Sequence, residues 1–187
     1  MITLFLRNIP NILTGLRLGC APALALLLLT GHERAALIVF VLAGLTDLAD
    51  GWLAKRFHLA TRFGRYLDPT ADKLLMLCAF LALTEMGATP LWLTALAIGR
   101  DAVIVIGIGV AKLLGLPLRV APLPIGKIST GVQVCYIALI LFILAFDLDA
   151  QMLAAFAAVL TGAATIASGL AYGQLWLRAA ARRRRTA

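Results

Sequence analysis

Cysteine, histidine and acidic side chains are all scarce in this chain. Cys20, Cys78 and Cys135 are its three cysteines, scattered through apolar sequence. That pattern excludes a disulfide framework or a cysteine-built metal cluster and leaves them as small core residues. The two histidines, His32 and His58, have no partner pattern around them, and no chemistry is assigned to them. Polar sequence is lacking too. Charged residues make up 14% and apolar ones 62% of the 187 residues, a balance that excludes a soluble domain. A cleavable signal peptide is not expected, because the first apolar segment is long, carries Arg17 and lacks a small-residue cleavage site.

What is present is apolar sequence in six stretches of about 20 residues, each long enough to cross a hydrocarbon core. They fall at 11–31, 35–56, 68–87, 90–114, 124–147 and 151–178. The expected fold class is therefore an all-α integral membrane protein: one domain over 1–187 with six transmembrane helices. Residues 1–10 are too short to span and set Leu4, Phe5, Leu6 and Ile9 around Arg7. A short interfacial helix is expected there, with Pro10 beginning the first span.

The net charge of +8 follows the same plan. Of the 17 basic residues, Arg34 alone falls in an opposite-side loop and Arg17 and Arg100 lie inside spans; the rest gather on one side. The excess of positive charge marks that side as cytoplasmic, with both termini on it. The Arg182–Arg185 run, in a basic tail over 179–187, reads as an orientation signal and anionic-lipid anchor, each charge worth about 1 kcal/mol near the surface. Nucleic acid is not an expected partner. The sixth stretch, with Gly162, Ala163, Ala164, Ala167, Ser168 and Gly169, suits close helix packing, within the bundle or in a homodimer.

Four of the nine acidic residues, Asp47, Asp50, Asp68 and Asp72, crowd into one stretch of 26 residues. Their surroundings read as membrane-spanning, where an ionised carboxylate costs several kcal/mol unless it is compensated. Asp47 and Asp50 stand three apart and Asp68 and Asp72 four apart, so each pair projects from one face of a helix. Helices joined by a short loop can bring both pairs into one small volume. With no dedicated basic partner expected among them, the four would repel, and divalent cations are the natural remedy. Hard oxygen donors in that number suit Mg²⁺ or Mn²⁺. Gly51 and Ala54 continue the Asp47 face and leave room for a ligand or another backbone. Pro69 suits a first helical turn, and Asp68 ahead of it could cap that helix.

The spacing D-x2-D-G-x2-A-K-x8-G-x3-D-x3-D, from Asp47 to Asp72, resembles the signature of the CDP-alcohol phosphotransferases. These are integral membrane enzymes that move a phosphatidyl or related group from a CDP-linked donor onto an alcohol. Seven of eight motif positions match; the departure is Lys55, where the family usually has arginine. The resemblance implies two bound Mg²⁺ or Mn²⁺ ions held by Asp47, Asp50, Asp68 and Asp72. It makes Asp72 the catalytic base as well, and assigns Gly51, Ala54, Lys55 and Gly64 to the CDP-linked donor. It also implies an active site at the cytoplasmic face, in a bacterial-type inner membrane, with CDP-diacylglycerol and membrane lipids as partners.

Three further segments resemble the branch that contains the cardiolipin and phosphatidylglycerophosphate synthases. Asn11, Thr14 and Arg17 share a helix face near the cytoplasmic end; Arg17 either snorkels to the interface or binds phosphate. Arg100-Asp101 lies within an apolar run. It is either a buried ion pair tying helices together or, by resemblance, a phosphate ligand oriented by Asp101. Lys127, after Gly126, meets substrate phosphate or lipid headgroups. Glycerol 3-phosphate enzymes of the branch tend to carry two more cations, where this chain has Ile108 and Ser129. Fewer cations suit a phosphodiester acceptor, so phosphatidylglycerol is the expected acceptor, with glycerol 3-phosphate as the alternative. A small transporter with acids along an ion path is the alternative of another class.

Overall fold

Inside lipid every backbone N–H and C=O must find a partner within the chain, and a helix supplies one for each. In the computed structural model, backbone is described at residues 2–57, 64–113 and 123–186, and side chains at 15–47, 70–110, 113 and 123–176. Six helices occupy the described residues: α1 (Ile2–Leu29), α2 (Glu33–Phe57), α3 (Gly64–Glu85), α4 (Leu91–Leu113), α5 (Pro124–Ala145) and α6 (Gln151–Thr186). Three stretches among the described residues are long and apolar enough to cross a membrane: Leu91–Val110, Pro124–Ala145 and Gln151–Trp176. The described part of α1 adds a shorter apolar stretch, Gly15–Leu29.

Three of the helix ends are built alike. After α1, Gly31 takes φ 74°, its N–H donates to Leu28 O and the next N–H, of His32, donates to Leu27 O. Gly87 repeats this after α3 at φ 74°, with Ala88 N–H on Leu83 O at 2.9 Å. Asp147 repeats it after α5 at φ 50°, with Leu148 N–H on Ile143 O at 3.0 Å. The left-handed residue turns the chain while its neighbours satisfy the last carbonyls; aspartate tolerates that conformation better than most side chains.

Two boundaries differ from the sequence expectation. α1 begins at Ile2 and runs through Pro10 without a break, so residues 2–10 are its first turns and not a separate element. Proline forfeits one helical bond, which a long apolar helix tolerates when neighbouring groups compensate. α3 begins at Gly64, so Asp68 stands inside the helix and does not cap it. Nothing between Gly64 and Asp68 interrupts helical backbone.

The helices fall into two compact units, Met1–Thr89 with Ile137–Asp149, and Pro90–Tyr136 with Ala150–Ala187. In the first, α1 packs on α2 and α3. Its buried stripe is Arg17, Ala21, Leu24 and Leu28, at the i, i+4, i+7, i+11 spacing of one helix face. Facing it are Ala36, Phe40 and Ala43 of α2 and Ala71, Leu75, Ala79 and Leu83 of α3. The many alanines let the backbones approach closely. Past the C-terminal end of α1, a cavity of about 670 Å³ lies between Gly31–Ala35 and Ile143–Leu148, where Arg34 Nε donates to Ala145 O at 3.0 Å. No residue assigned to the site lines it.

In the second unit α4 packs along α6, locked by two tryptophans over glycines. The Trp92 ring covers Gly162 and the Trp176 ring covers Gly107, so the two helices run parallel. A Cβ on Gly162 would stand 2.6 Å from Trp92. Gly162→Ala should therefore destabilise the protein by about 1–3 kcal/mol through overpacking. Thermal unfolding in detergent checks this, and Trp92→Leu in the same background should recover most of the loss.

Candidate active site

Arg17 belongs to the buried stripe of α1 and is 1% exposed. Its Nη1 stands 3.0 Å from Asp47 Oδ1 on α2 and 3.1 Å from Asp72 Oδ1 on α3. Each partner is in register with a core stripe in turn. Asp47 continues Ala36, Phe40 and Ala43, and Asp72 precedes Leu75, Ala79 and Leu83 at the same helical spacing. One helical register on each of three helices thus carries both apolar core side chains and a charge. The carboxylates keep 47% and 43% of their side chains exposed.

This arrangement brings together the two halves of the acidic motif, and it corrects one premise. The acids do have a basic partner within the fold, thirty residues upstream of the first of them. Asp50 lies one turn beyond Asp47 on α2, and Asp68 one turn before Asp72 on α3; the side chains of both lie outside the described residues. The same holds for Asn11 and Thr14 on α1, for Gly51, Ala54 and Lys55 on α2, and for Gly64, which opens α3. Among the described residues, no three acidic, histidine or cysteine side chains group as a metal site. The donor chemistry nonetheless fits a hard divalent cation. Two anionic oxygens from separate helices, within about 6 Å of each other by their contacts to Nη1, already converge on one positive nitrogen.

The second unit holds two more of the cations singled out in the sequence, Arg100 and Lys127. Arg100 Nη1 donates to Asp101 Oδ1 at 2.6 Å, Nε and Nη2 donate to Ser168 Oγ at 3.2 and 3.0 Å, and Nη2 donates to Gly126 O at 3.1 Å. The guanidinium also lies over the Tyr172 ring, 5.9 Å from its centroid. It therefore ties α4 to α5 and α6. A Cβ on Gly126 would come within 2.8 Å of the Tyr172 hydroxyl and 3.2 Å of Arg100 Nη2, which is why glycine stands there. Lys127 is exposed on the first turn of α5. Ser129 is fully buried.

Sequence reasoning took Ser168 for a packing residue and passed over Tyr172. The available signal was a hydroxyl pair at i, i+4 in an apolar helix, on the face that carries the buried Thr161 and Thr165.

Comparison with known proteins adds an independent line. Residues 7–168 match the family model described as CDP-alcohol phosphatidyltransferase. A Schizosaccharomyces pombe cardiolipin synthase (CMP-forming)/mitochondrial hydrolase fusion protein is 34% identical over 88% of this chain and 30% of its own length. The Rattus norvegicus cardiolipin synthase (CMP-forming) is 35% identical over 70% of this chain and 49% of its own. The CDP-diacylglycerol–glycerol-3-phosphate 3-phosphatidyltransferase of Bacillus subtilis is 32% identical over 88% of this chain and 93% of its own. The chain thus spans a third to a half of the first two relatives and nearly all of the third.

The Arg100 tie carries its own stability prediction. Ser168→Ala removes the acceptor for two guanidinium N–H groups inside the helix bundle, which should cost about 1–3 kcal/mol. Thermal unfolding in detergent measures it, with Ser168→Thr expected to retain most of the stability.

Proposed function

Since the chain belongs to the CDP-alcohol phosphatidyltransferase family, we propose that it transfers the phosphatidyl group of CDP-diacylglycerol to phosphatidylglycerol, forming cardiolipin and releasing CMP. The observation that carries this reading is the meeting of Asp47 and Asp72, from the two halves of the motif, around a single cationic nitrogen. The match to a family of this activity leaves the ion-path alternative without support.

In this reading Asp47, Asp50, Asp68 and Asp72 hold divalent ions, Mg²⁺ or Mn²⁺. Ions bound there offset charge on the donor diphosphate and on the departing CMP. Asp72 takes the proton from the acceptor hydroxyl as that oxygen bonds to the phosphatidyl phosphorus and the bond to CMP breaks. Asp72 is half-exposed, so an acceptor hydroxyl has access to it. Gly51, Ala54, Lys55 and Gly64 receive the CDP moiety. Lys55 offers a point charge where the family's usual arginine would offer a planar fork. Arg17, Arg100 and Lys127, with Asn11 and Thr14, supply positive charge and hydrogen bonds for the phosphates.

The reading includes six membrane crossings, an interfacial segment over residues 1–10, both termini and the site on the cytoplasmic side, and a homodimer through the small residues of α6. Ile108 and Ser129, where glycerol 3-phosphate enzymes tend to carry cations, support phosphatidylglycerol as the acceptor. The similarity to the B. subtilis enzyme, over nearly its whole length, supports glycerol 3-phosphate as the second reading.

Purified protein should release CMP from CDP-diacylglycerol with phosphatidylglycerol and Mg²⁺ or Mn²⁺, and labelled phosphatidyl group should appear in cardiolipin. Label entering only phosphatidylglycerophosphate would overturn the acceptor. Asp72→Asn should lower the rate by a factor of about 10²–10⁴; normal turnover by that variant would overturn the mechanism.

A further inference from the structure

Two carboxylates with nearly half of each side chain exposed would not ordinarily bury an arginine between them. They keep accessible surface of their own. Arg17 does not: at 1% exposure, its charge is compensated by the protein, including Asp47 and Asp72. The contacts to both acids run through the same nitrogen, Nη1, at 3.0 and 3.1 Å. That nitrogen therefore stands at the point on which acids from the two motif halves converge.

We propose that Arg17 is an exchangeable internal counter-ion: it holds Asp47 and Asp72 together in the ion-free protein and gives way when a divalent cation binds. The proposal rests on the reading that the acidic quartet binds such a cation. A divalent ion of the Mg²⁺ type needs its carboxylate oxygens at about 2.0–2.1 Å, closer than the present contacts to nitrogen. It also repels a guanidinium at that range, in a setting less screened than water. Ion and Nη1 cannot share the position between the two carboxylates. Once displaced, the Arg17 charge becomes available to an anion arriving with the ion, and the donor diphosphate is of that kind. Exchange accounts for a buried arginine placed among residues whose chemistry calls for a metal.

Mn²⁺ binding to the purified protein without substrate, followed by the electron paramagnetic resonance of free Mn²⁺, tests this. Arg17→Gln removes the competing charge. It should bind Mn²⁺ about tenfold more tightly than the unaltered protein, while Arg17→Lys should stay within about threefold. In chelator, Arg17→Gln should melt lower than the unaltered protein, and Mn²⁺ should restore the difference. Unchanged or weaker Mn²⁺ binding by Arg17→Gln overturns the exchange, and leaves the metal reading intact as long as the unaltered protein binds Mn²⁺ and Asp72→Asn binds it less well. No Mn²⁺ binding by the unaltered protein overturns both.

Should Arg17→Gln fail to fold, the unaltered protein carries the test through its ¹⁵N-labelled guanidinium groups, with the Arg17 signals identified by their absence in Arg17→Lys. Those signals should move on adding Mg²⁺. Signals that stay fixed at saturating Mg²⁺ overturn the proposal.

Discussion

A guanidinium shut away from water where three helices meet ties α1, α2 and α3 of the first unit together. Arg17 is in helical register with Ala21, Leu24 and Leu28, so α1 cannot bury its apolar face without burying the arginine too. Removing the partners of a buried charge costs about 3–5 kcal/mol, enough to make the placement of Asp47 and Asp72 a condition of packing α1 against α2 and α3. The alanines along these helices make the close approach possible. Charge and packing thus specify the same arrangement, the agreement across levels that marks a well-determined fold.

The second unit also buries an arginine, with a different set of partners. Arg100 is held by its neighbour Asp101, a serine hydroxyl, a backbone carbonyl and an aromatic face. Those groups come from three helices and sit on the tightly packed glycine at position 126. The partners of Arg17 include two carboxylates that remain half-exposed. Carboxylates with accessible surface can exchange one cation for another, whereas Arg100 keeps its position through helix packing while its charge serves the site.

Much of this was readable in advance because it is local. The six helices lie on the six apolar stretches, with ends at Gly31 and Gly87, where the left-handed conformation favours glycine. The acidic motif was legible because its spacing is a helical spacing. What escaped is non-local. The Arg17–Asp72 pair spans 55 residues and the Arg100–Ser168 pair 68, and no periodicity in a single helix encodes such partners. The passage of α1 through Pro10 was missed for a related reason, since proline's local preference yielded to the length of the helix around it. Position 147 escaped because its aspartate occupies a turn that glycine usually signals.

The account depends on Arg17 and the two acids acting as one electrostatic unit, and a double-mutant cycle measures that directly. Unfolding of the ion-free protein in detergent would be compared for Arg17→Gln, Asp47→Asn and the pair together. The account predicts that the double variant is hardly less stable than Arg17→Gln alone, a coupling above about 1 kcal/mol. Losses that simply add would contradict it.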